Sequence, residues 1–269
     1  MSCENNRALS INDELCSSEL GTKKYWDVQY EREINNYNTH GDVGEVWFGE
    51  DSEYRIIRWL KSCNRVDKSD SIVDIGCGNG MLLLELAKEK FTNLTGIDYS
   101  ESAIELASKI SSTQGFADIS FKGINFMQLM AKCFVEYQVY DIIKETSILD
   151  TFNIALDKGT YDAICLDPED SKSKRITYKN NIAKLLIDDG LFIITSCNWT
   201  DKELAEFFKS HFTVLASIPA PSFKFGGKTG SLVSTIVFQK ILLRARKGIL
   251  VVDQTTFQNT LKNNSGNKF

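Results

Sequence analysis

Apolar and polar residues change their spacing from block to block along the middle of the chain. Short apolar runs such as "SIVDIG", "LTGID", "DISFKGI" and "FNIALD" have the length of β-strands. Between and after them, "GMLLLELAKEK", "ESAIELASKI" and "KNNIAKLLID" place apolar residues at helical spacing, and "LFIITSCN" is again a strand. Strands that alternate with helices predict an α/β fold with a doubly wound, mostly parallel sheet covered by helices on both faces.

The two ends of this pattern differ from its middle. Before it, residues 21–62 form two predicted helices, and the stretch "THGDVGEVWFGED" between them contains three glycines. After it, "FTVLAS" and "STIVFQK" are two strands with no helix between them. We therefore expect a terminal antiparallel hairpin at the far end of the sheet.

This organisation predicts one domain over residues 21–240. Residues 1–20 have no apolar periodicity and are expected to be disordered, and residues 241–269 form a C-terminal tail with a polar end. Residues 127–149 are a long apolar connection, which we interpret as an insertion that packs on the domain as a helix.

The composition is that of a soluble globular protein, with 42% hydrophobic and 25% charged residues. A net charge of −5 argues against a nucleic-acid partner held through its phosphates, and no apolar run approaches the roughly 18 residues that span a bilayer. The acidic residues near the N-terminus fit neither a secretory signal nor an arginine-rich transit peptide. We expect a cytoplasmic monomer that binds neither nucleic acid nor membranes.

Cysteine and histidine usage narrows the possible chemistry. The seven cysteines are scattered and form no Cys-x-x-Cys pair, which favours reduced thiols over a disulfide framework or a zinc site. His40 and His211 are the only histidines, and they lie far apart in the sequence. We expect no metal and no catalytic triad built around histidine.

The stretch "SIVDIGCGNGMLLLEL" combines a strand, a turn with three glycines and a helix. A dinucleotide-binding turn would follow the spacing Gly-x-Gly-x-x-Gly, but Met81 stands where its third glycine would be. A P-loop is excluded because no Gly-Lys-Ser/Thr follows. The spacing from Asp74 to Gly80 is instead Asp-x-Gly-x-Gly-x-Gly, and it resembles motif I of class I S-adenosylmethionine-dependent methyltransferases.

This resemblance implies a seven-stranded Rossmann-like fold and S-adenosylmethionine as the cofactor. The glycines would let the backbone approach the methionine part, with Asp74 facing its ammonium and Asp98 accepting hydrogen bonds from both ribose hydroxyls. We place Asn125 at the end of the third strand, where the family often has an aspartate that binds the adenine amine. The predicted cofactor-binding residues are Asp74, Gly76, Cys77, Gly78, Gly80, Asp98, Tyr99, Asn125 and Phe126.

Three further segments narrow the resemblance. They are "WFGE" at residues 47–50, "DKGT" at residues 157–160 and "SCNWT" at residues 196–200. With them, the chain from about residue 20 to residue 240 resembles the eukaryotic elongation factor 1-alpha lysine methyltransferase 2 family, a group of seven-β-strand protein-lysine methyltransferases. The resemblance implies that elongation factor 1-alpha is the protein substrate and that one of its lysines receives the methyl group.

Methyl transfer to lysine depends mainly on positioning a neutral amine, and three residues are predicted to serve it. Asp157 ends the fourth strand and is expected to orient the amine. Trp47, together with Phe48, can form a lid, and Asn198 ends the fifth strand. Each residue also has a purely structural alternative. The acid can cap a turn, the two aromatic residues can pack the N-terminal helix on the sheet, and the asparagine can mark a helix entry.

Two other functions remain open at this point. A small-molecule or nucleic-acid methyltransferase would share the same cofactor site. A binding module could keep the cofactor fold without transferring methyl groups. Asn125 in place of an aspartate, the long segment 127–149 and the tail after residue 240 keep that alternative open.

Overall fold

The computed structural model describes residues 15–116, 134–144, 150–225, 228–231 and 233–242. The strands in these ranges are β1 Ser71–Ile75, β2 Asn93–Asp98, β3 Phe134–Val139, β4 Phe152–Lys158, β5 Leu186–Ser196, β6 Phe212–Ser217, β7 Ser222–Phe225, β8 Lys228–Ser231 and β9 Ser234–Lys240. The helices are α1 Lys23–His40, α2 Glu50–Ser62, α3 Met81–Lys88, α4 Glu101–Thr113, α5 Thr160–Cys165, α6 Ser171–Leu185 and α7 Asp201–Phe208. A short 3₁₀ helix, Glu19–Gly21, precedes α1.

Seven of these strands form one sheet in the order β3-β2-β1-β4-β5-β9-β6, and β7 and β8 form a separate antiparallel pair. The first five strands of the chain run parallel, whereas β9 runs antiparallel to both β5 and β6. The predicted α/β fold is therefore confirmed, including the antiparallel pair at the end of the sheet. Although β9 comes last in the sequence, it lies between β5 and β6.

The sheet is buried on both faces. Val73 and Phe192 belong to one apolar cluster, whereas their chain neighbours Ile72 and Ile193 belong to another. Successive strand residues point to opposite faces, so the two clusters lie on opposite sides of the sheet. Continuous apolar runs such as residues 191–194 of β5 are typical of strands that helices cover on both sides.

The third strand differs from its prediction. The predicted strand "DISFKGI" and both Asn125 and Phe126 lie outside the described residues. The structure instead has β3 at Phe134–Val139, paired in parallel with β2, so the interpretation of residues 127–149 as a helical insertion is wrong there. Val135 is buried and Glu136 is exposed, and this alternation is the period-two signal of a strand.

The segment before α1 also differs from its prediction. Among the residues expected to be disordered, 15–20 are described, and the backbone N–H of Ser18 donates a 3.0 Å hydrogen bond to the carbonyl of Leu166. Gly21 then packs so closely on the same loop that a Cβ atom there would lie 2.3 Å from the backbone of Asp167. The N-terminal segment is thus fixed beside α5 before α1 begins.

No described helix has both the length and the apolar character needed to cross a lipid bilayer.

Candidate active site

Two adjoining cavities lie at the carboxyl ends of the parallel strands. The larger has a volume of about 270 Å³ and the smaller about 170 Å³. Residues that follow β1, β2 and β4 line both of them, and the shared ones are Gly76, Asp98, Tyr99, Thr160 and Ala163. Open α/β sheets bind their ligands at this edge, because the loops after neighbouring parallel strands meet there.

The turn between β1 and α3, residues 76–80, is called the glycine turn below. Gly76 lines both cavities and Gly78 lines the smaller one, whereas Gly80 lines neither. The first two glycines of the turn have left-handed backbones, with φ of 66° at Gly76 and 54° at Gly78. A Cβ atom would lie 2.0 Å from the Thr160 hydroxyl at the first position and 2.5 Å from the Tyr30 hydroxyl at the second. Only glycine satisfies both the backbone and the packing here. The predicted Cys77 lines the smaller cavity in the same turn.

Asp98 ends β2 and lines both cavities, as predicted for a ligand-facing acid. Its carboxylate accepts hydrogen bonds from the backbone N–H groups of Gly78, at 3.1 Å, and Ser100, at 2.9 Å. Burial raises the pKa of Asp98 to about 6, although these two N–H groups oppose the rise. Tyr99 lies beside it, and the ammonium of Lys23 is 5.4 Å from the centre of the tyrosine ring.

Asp74 lies behind the glycine turn and lines neither cavity. It is only 3% exposed. Burial raises its pKa to about 8, while the nearby ammonium of Lys158 acts in the opposite direction. Because burial disfavours the ionised acid, a cation in the adjacent turn would favour that form.

Asp141 follows β3 and takes the position that the sequence analysis assigned to Asn125. The third described strand ends at Val139, and Asn125 and Phe126 lie outside the described residues. Asp141 and Tyr140 line the larger cavity. The carboxylate of Asp141 accepts hydrogen bonds from the backbone N–H groups of Ile143, at 2.9 Å, and Lys144, at 3.2 Å. An aspartate therefore does stand at the end of the third strand.

Asp157 does not occupy the position predicted for a catalytic acid. It is 1% exposed and lines neither cavity. Its carboxylate accepts hydrogen bonds from the backbone N–H groups of Thr160, at 2.9 Å, and Tyr161, at 3.0 Å, and from the hydroxyl of Tyr178. The structural alternative is therefore the correct one: the acid holds the start of α5 and faces the core, away from the ligand cavities.

Besides Tyr99, four aromatic side chains line the smaller cavity: Trp26 and Tyr30 from α1, and Trp47 and Phe48 from the segment before α2. The ring centres of Trp26 and Trp47 are 4.8 Å apart, and those of Trp26 and Tyr30 are 6.0 Å apart. Trp47 therefore packs on α1 and also lines the cavity.

A polar group forms another part of the same cavity wall. Asp162 in α5 accepts hydrogen bonds from the hydroxyl of Ser196, at 2.5 Å, and the backbone N–H of Cys197, at 2.8 Å. Burial raises the pKa of Asp162, and these bonds oppose the rise. The predicted Asn198 also lines the cavity, whereas the neighbouring Trp199 is buried in the core. Burial raises the pKa of the Cys197 thiol to about 12, so it is not a thiolate nucleophile.

The segment that carries Trp47, residues 43–49, is held over the smaller cavity and is called the lid below. Side chains bind its backbone carbonyls from outside the segment. Asn79 donates to the carbonyls of Val43, at 3.0 Å, and Glu45, at 3.3 Å, and Lys158 donates to that of Trp47, at 3.0 Å. The sequence analysis did not single out Asn79 and Lys158, although both stand inside motifs it used.

The described cavities have the chemistry of a site for a nucleoside with a cationic amino-acid tail. Asp98 offers carboxylate oxygens to a diol, Tyr99 offers a flat ring, and Asp74 is a buried acid near the glycine turn whose ionised form a bound cation would favour. Within the described ranges, no group of three or more histidine, cysteine, aspartate or glutamate side chains can hold a metal ion.

Comparison with known proteins identifies the class. The model of a methyltransferase domain matches residues 66–263, more than half of the chain, so the protein belongs to the methyltransferase-domain family. N-methyltransferase NodS of Bradyrhizobium japonicum, solved with S-adenosyl-L-homocysteine, shares the fold at 15% identity, with a TM-score of 0.53 over 80% of this chain and 98% of that one. The [4+2]-cyclase SpnF shares it too, with a TM-score of 0.56 at 12% identity over 85% of this chain and 99% of that one. Likeness of fold therefore leaves the reaction open.

The particular family follows from closer relatives. "EEF1A lysine methyltransferase 2" of Danio rerio is 42% identical over 229 residues, which cover 85% of this chain and 91% of that protein. The Homo sapiens protein of the same name is 42% identical over 85% of this chain and 90% of its own. "Protein-lysine N-methyltransferase efm4" of Schizosaccharomyces pombe is 41% identical over 84% of this chain and 95% of that protein. The chain belongs to the elongation factor 1-alpha lysine methyltransferase 2 family, which confirms the resemblance found in the sequence.

Proposed function

We propose that this protein is an S-adenosylmethionine-dependent N-methyltransferase that methylates a lysine of elongation factor 1-alpha. The observation that carries the proposal is the 42% identity to a relative with that name over 91% of the relative's length. The site supports it independently, because an aromatic cavity with a buried acid adjoins a cavity suited to a nucleoside.

The described residues divide cofactor binding between the two cavities. Asp98 and Tyr99 bind the ribose and the adenine ring, and Asp141 accepts a hydrogen bond from the adenine amine. The glycine turn contacts the amino-acid part, and the charge of Asp74 acts on its ammonium from behind the turn. Bound S-adenosylmethionine supplies a methyl group on a positively charged sulfur, which a neutral amine can accept directly.

The smaller cavity prepares the substrate lysine. Its aromatic walls, including Trp47 and Tyr30, exclude water and so disfavour the charged ammonium form of a lysine inside it. Asp162 and Asn198 offer oxygen acceptors that orient the amine and stabilise the positive charge that develops on nitrogen. Asp162 thereby takes the role that the sequence analysis gave to Asp157, and Trp47 closes the cavity over the lysine.

The direct test uses elongation factor 1-alpha purified from cells that lack this protein. Incubation with methyl-labelled S-adenosylmethionine should label a lysine of the factor, as mass spectrometry of its peptides would show. Asp98→Ala should abolish the labelling, because it removes the ribose acceptor. A wild-type protein that binds S-adenosylhomocysteine but labels no lysine would contradict the proposal and support an interaction module instead.

Asp141 after β3 supports the enzyme over the interaction module, because the family often has an aspartate there. The long segment 127–149 and the tail after residue 240 also favoured the module, and the labelling experiment decides between the two functions. We also infer that the enzyme works as a cytoplasmic monomer and binds neither nucleic acid nor membranes. The net charge of −5 and the scattered cysteines support this inference. Light scattering after size-exclusion chromatography should give about one 30.4 kDa chain, and a stable dimer at micromolar concentration would contradict it.

A further inference from the structure

Lys158 links parts of the active site that are far apart in the sequence. Its ammonium donates a hydrogen bond to the carbonyl of Trp47 in the lid and lies 3.5 Å from the carboxylate of Glu53 in α2. The lysine side chain is 13% exposed and the glutamate side chain 4% exposed. An ion pair buried to this degree is screened far less than a surface pair, and losing one partner has a larger effect.

The lid needs such a contact to keep its shape. Phe48 has a left-handed backbone with φ of 61°, which is unfavourable for a residue with a side chain. Gly44 and Gly49 on either side are also left-handed, with φ of 84° and 73°. Strained backbone persists where surrounding contacts hold it. Lys158 and Asn79 supply those contacts from the two strand ends that border the cofactor cavity.

The same ammonium lies near the acid behind the glycine turn. β1, which carries Asp74, pairs in parallel with β4, which carries Lys158, and Lys158 lines the smaller cavity together with Gly76 and Gly78. Burial raises the pKa of Asp74, and the Lys158 ammonium opposes that rise, so a second cation bound at the glycine turn would further favour the ionised acid. A cation bound there changes the electrostatic balance on Lys158, and Lys158 holds the lid.

We infer that Lys158 is a positioning residue that couples cofactor binding at the glycine turn to closure of the lid over the substrate lysine. This inference rests on the proposed methyl transfer. Lys158 belongs to the wall of the smaller cavity, but its contacts run to the lid carbonyl and to Glu53, so it acts by holding Trp47 and Phe48 over the site.

The test compares Lys158→Met, which removes both charge and donor, with Lys158→Arg, which keeps both. For Lys158→Met we expect kcat on elongation factor 1-alpha to fall roughly ten- to a hundredfold, while the Kd for S-adenosylhomocysteine rises by only about three- to tenfold, since coupling between the lid and the cofactor site is reciprocal. Lys158→Arg should recover most of the loss. Lys209→Met is the matched control, because the Lys209 side chain is 65% exposed, and we expect it to behave as the wild type.

Hydrogen exchange gives a second readout that does not depend on turnover. In the wild type, S-adenosylhomocysteine should slow exchange of the lid amides, and in Lys158→Met this protection should be lost while α7 keeps its own. If Lys158→Met does not fold, the wild-type exchange decides: a lid whose protection is unchanged by the ligand overturns the inference. A Lys158→Met variant whose kcat equals that of the wild type also overturns the inference. If instead the wild-type protein labels no lysine, the proposed methyl transfer is refuted, and hydrogen exchange alone then tests whether the ligand closes the lid.

Discussion

The ends of β2 and β4 look alike in the sequence and differ in the structure. Asp98 is the last residue of β2 and Asp157 the last but one of β4, a helix follows each within a few residues, and both acids are almost fully buried. Asp98 accepts one hydrogen bond from its own helix start and one from the glycine turn, and it lines both cavities. Asp157 accepts two from its own helix start and a third from Tyr178 in the core.

The difference shows what decides the role of a strand-end acid. Each acid accepts one hydrogen bond from a distant part of the chain. That donor turns the Asp98 carboxylate toward the ligand edge of the sheet and the Asp157 carboxylate toward the core. For Asp98 that donor is Gly78, 20 residues away, and for Asp157 it is Tyr178, 21 residues away. Local sequence alone contains no sign of which donor an acid will meet.

The strongest test of this difference is Asp98→Ala. The variant should bind S-adenosylhomocysteine on the order of a thousandfold more weakly, because two hydrogen bonds to a charged acceptor are lost. Isothermal titration calorimetry would measure the change, with circular dichroism to confirm that the variant is folded. An affinity within a few-fold of the wild type would remove Asp98 from the cofactor site.

Asp157→Ala should show the opposite behaviour. It leaves the Tyr178 hydroxyl and the first N–H groups of α5 without their acceptor, so the free energy of unfolding should fall by about 3 kcal/mol. Urea titration would measure it. The Kd for S-adenosylhomocysteine should stay within about threefold, since the side chain lines neither cavity. Loss of binding as large as in Asp98→Ala would erase the difference between the two strand ends.

Asp162→Asn sharpens the comparison by testing the acid that replaces Asp157 in the proposed chemistry. With the shape kept and the charge removed, kcat on elongation factor 1-alpha should fall about a hundredfold, while cofactor affinity is unchanged. Steady-state methyl transfer separates kcat from KM, and Asp150→Asn, at an exposed acid, serves as the control. An unchanged kcat would contradict the proposal that Asp162 orients the substrate amine.

The smallest expected effect is on the pH dependence of binding. Asp98 has a pKa of about 6 and must be ionised to accept from the ribose, so affinity for S-adenosylhomocysteine should weaken about tenfold between pH 7 and pH 5. In Asp98→Asn, the part of the pH dependence of affinity that comes from Asp98 should disappear, and only the part that comes from Asp74 should remain. Calorimetry over that pH range checks both. If Asp157→Ala, and not Asp98→Asn, removes the pH dependence of affinity, the assignment of Asp98 as the ribose acceptor is wrong.

The features predicted from the sequence are the local ones. The strand, glycine turn and helix around Asp74 lie within a short stretch, and Asp98 follows at the end of the next strand, so spacing alone placed them correctly. The alternation of strands and helices likewise predicted the sheet, because each element buries a face of matching period.

The features that the sequence analysis missed depend on contacts across the fold. Strand β3 is short, and its alternation from Val135 to Val139 lies within a longer apolar stretch, so Asp141 was not recognised as a strand-end acid. Asp162 gains its place through Ser196, 34 residues away, and Lys158 through Trp47, 111 residues away. No periodicity in the sequence reports such pairs.

A crystal structure of the protein with S-adenosylhomocysteine is the most direct measurement. We expect both ribose hydroxyls within hydrogen-bond distance of the Asp98 carboxylate, the amino-acid part against Gly76 and Gly78, and the sulfur facing the aromatic cavity that holds Trp47. A nucleoside bound elsewhere, or one whose ribose meets Asp157 instead, would contradict the assignment of this edge of the sheet as the methyl-transfer site.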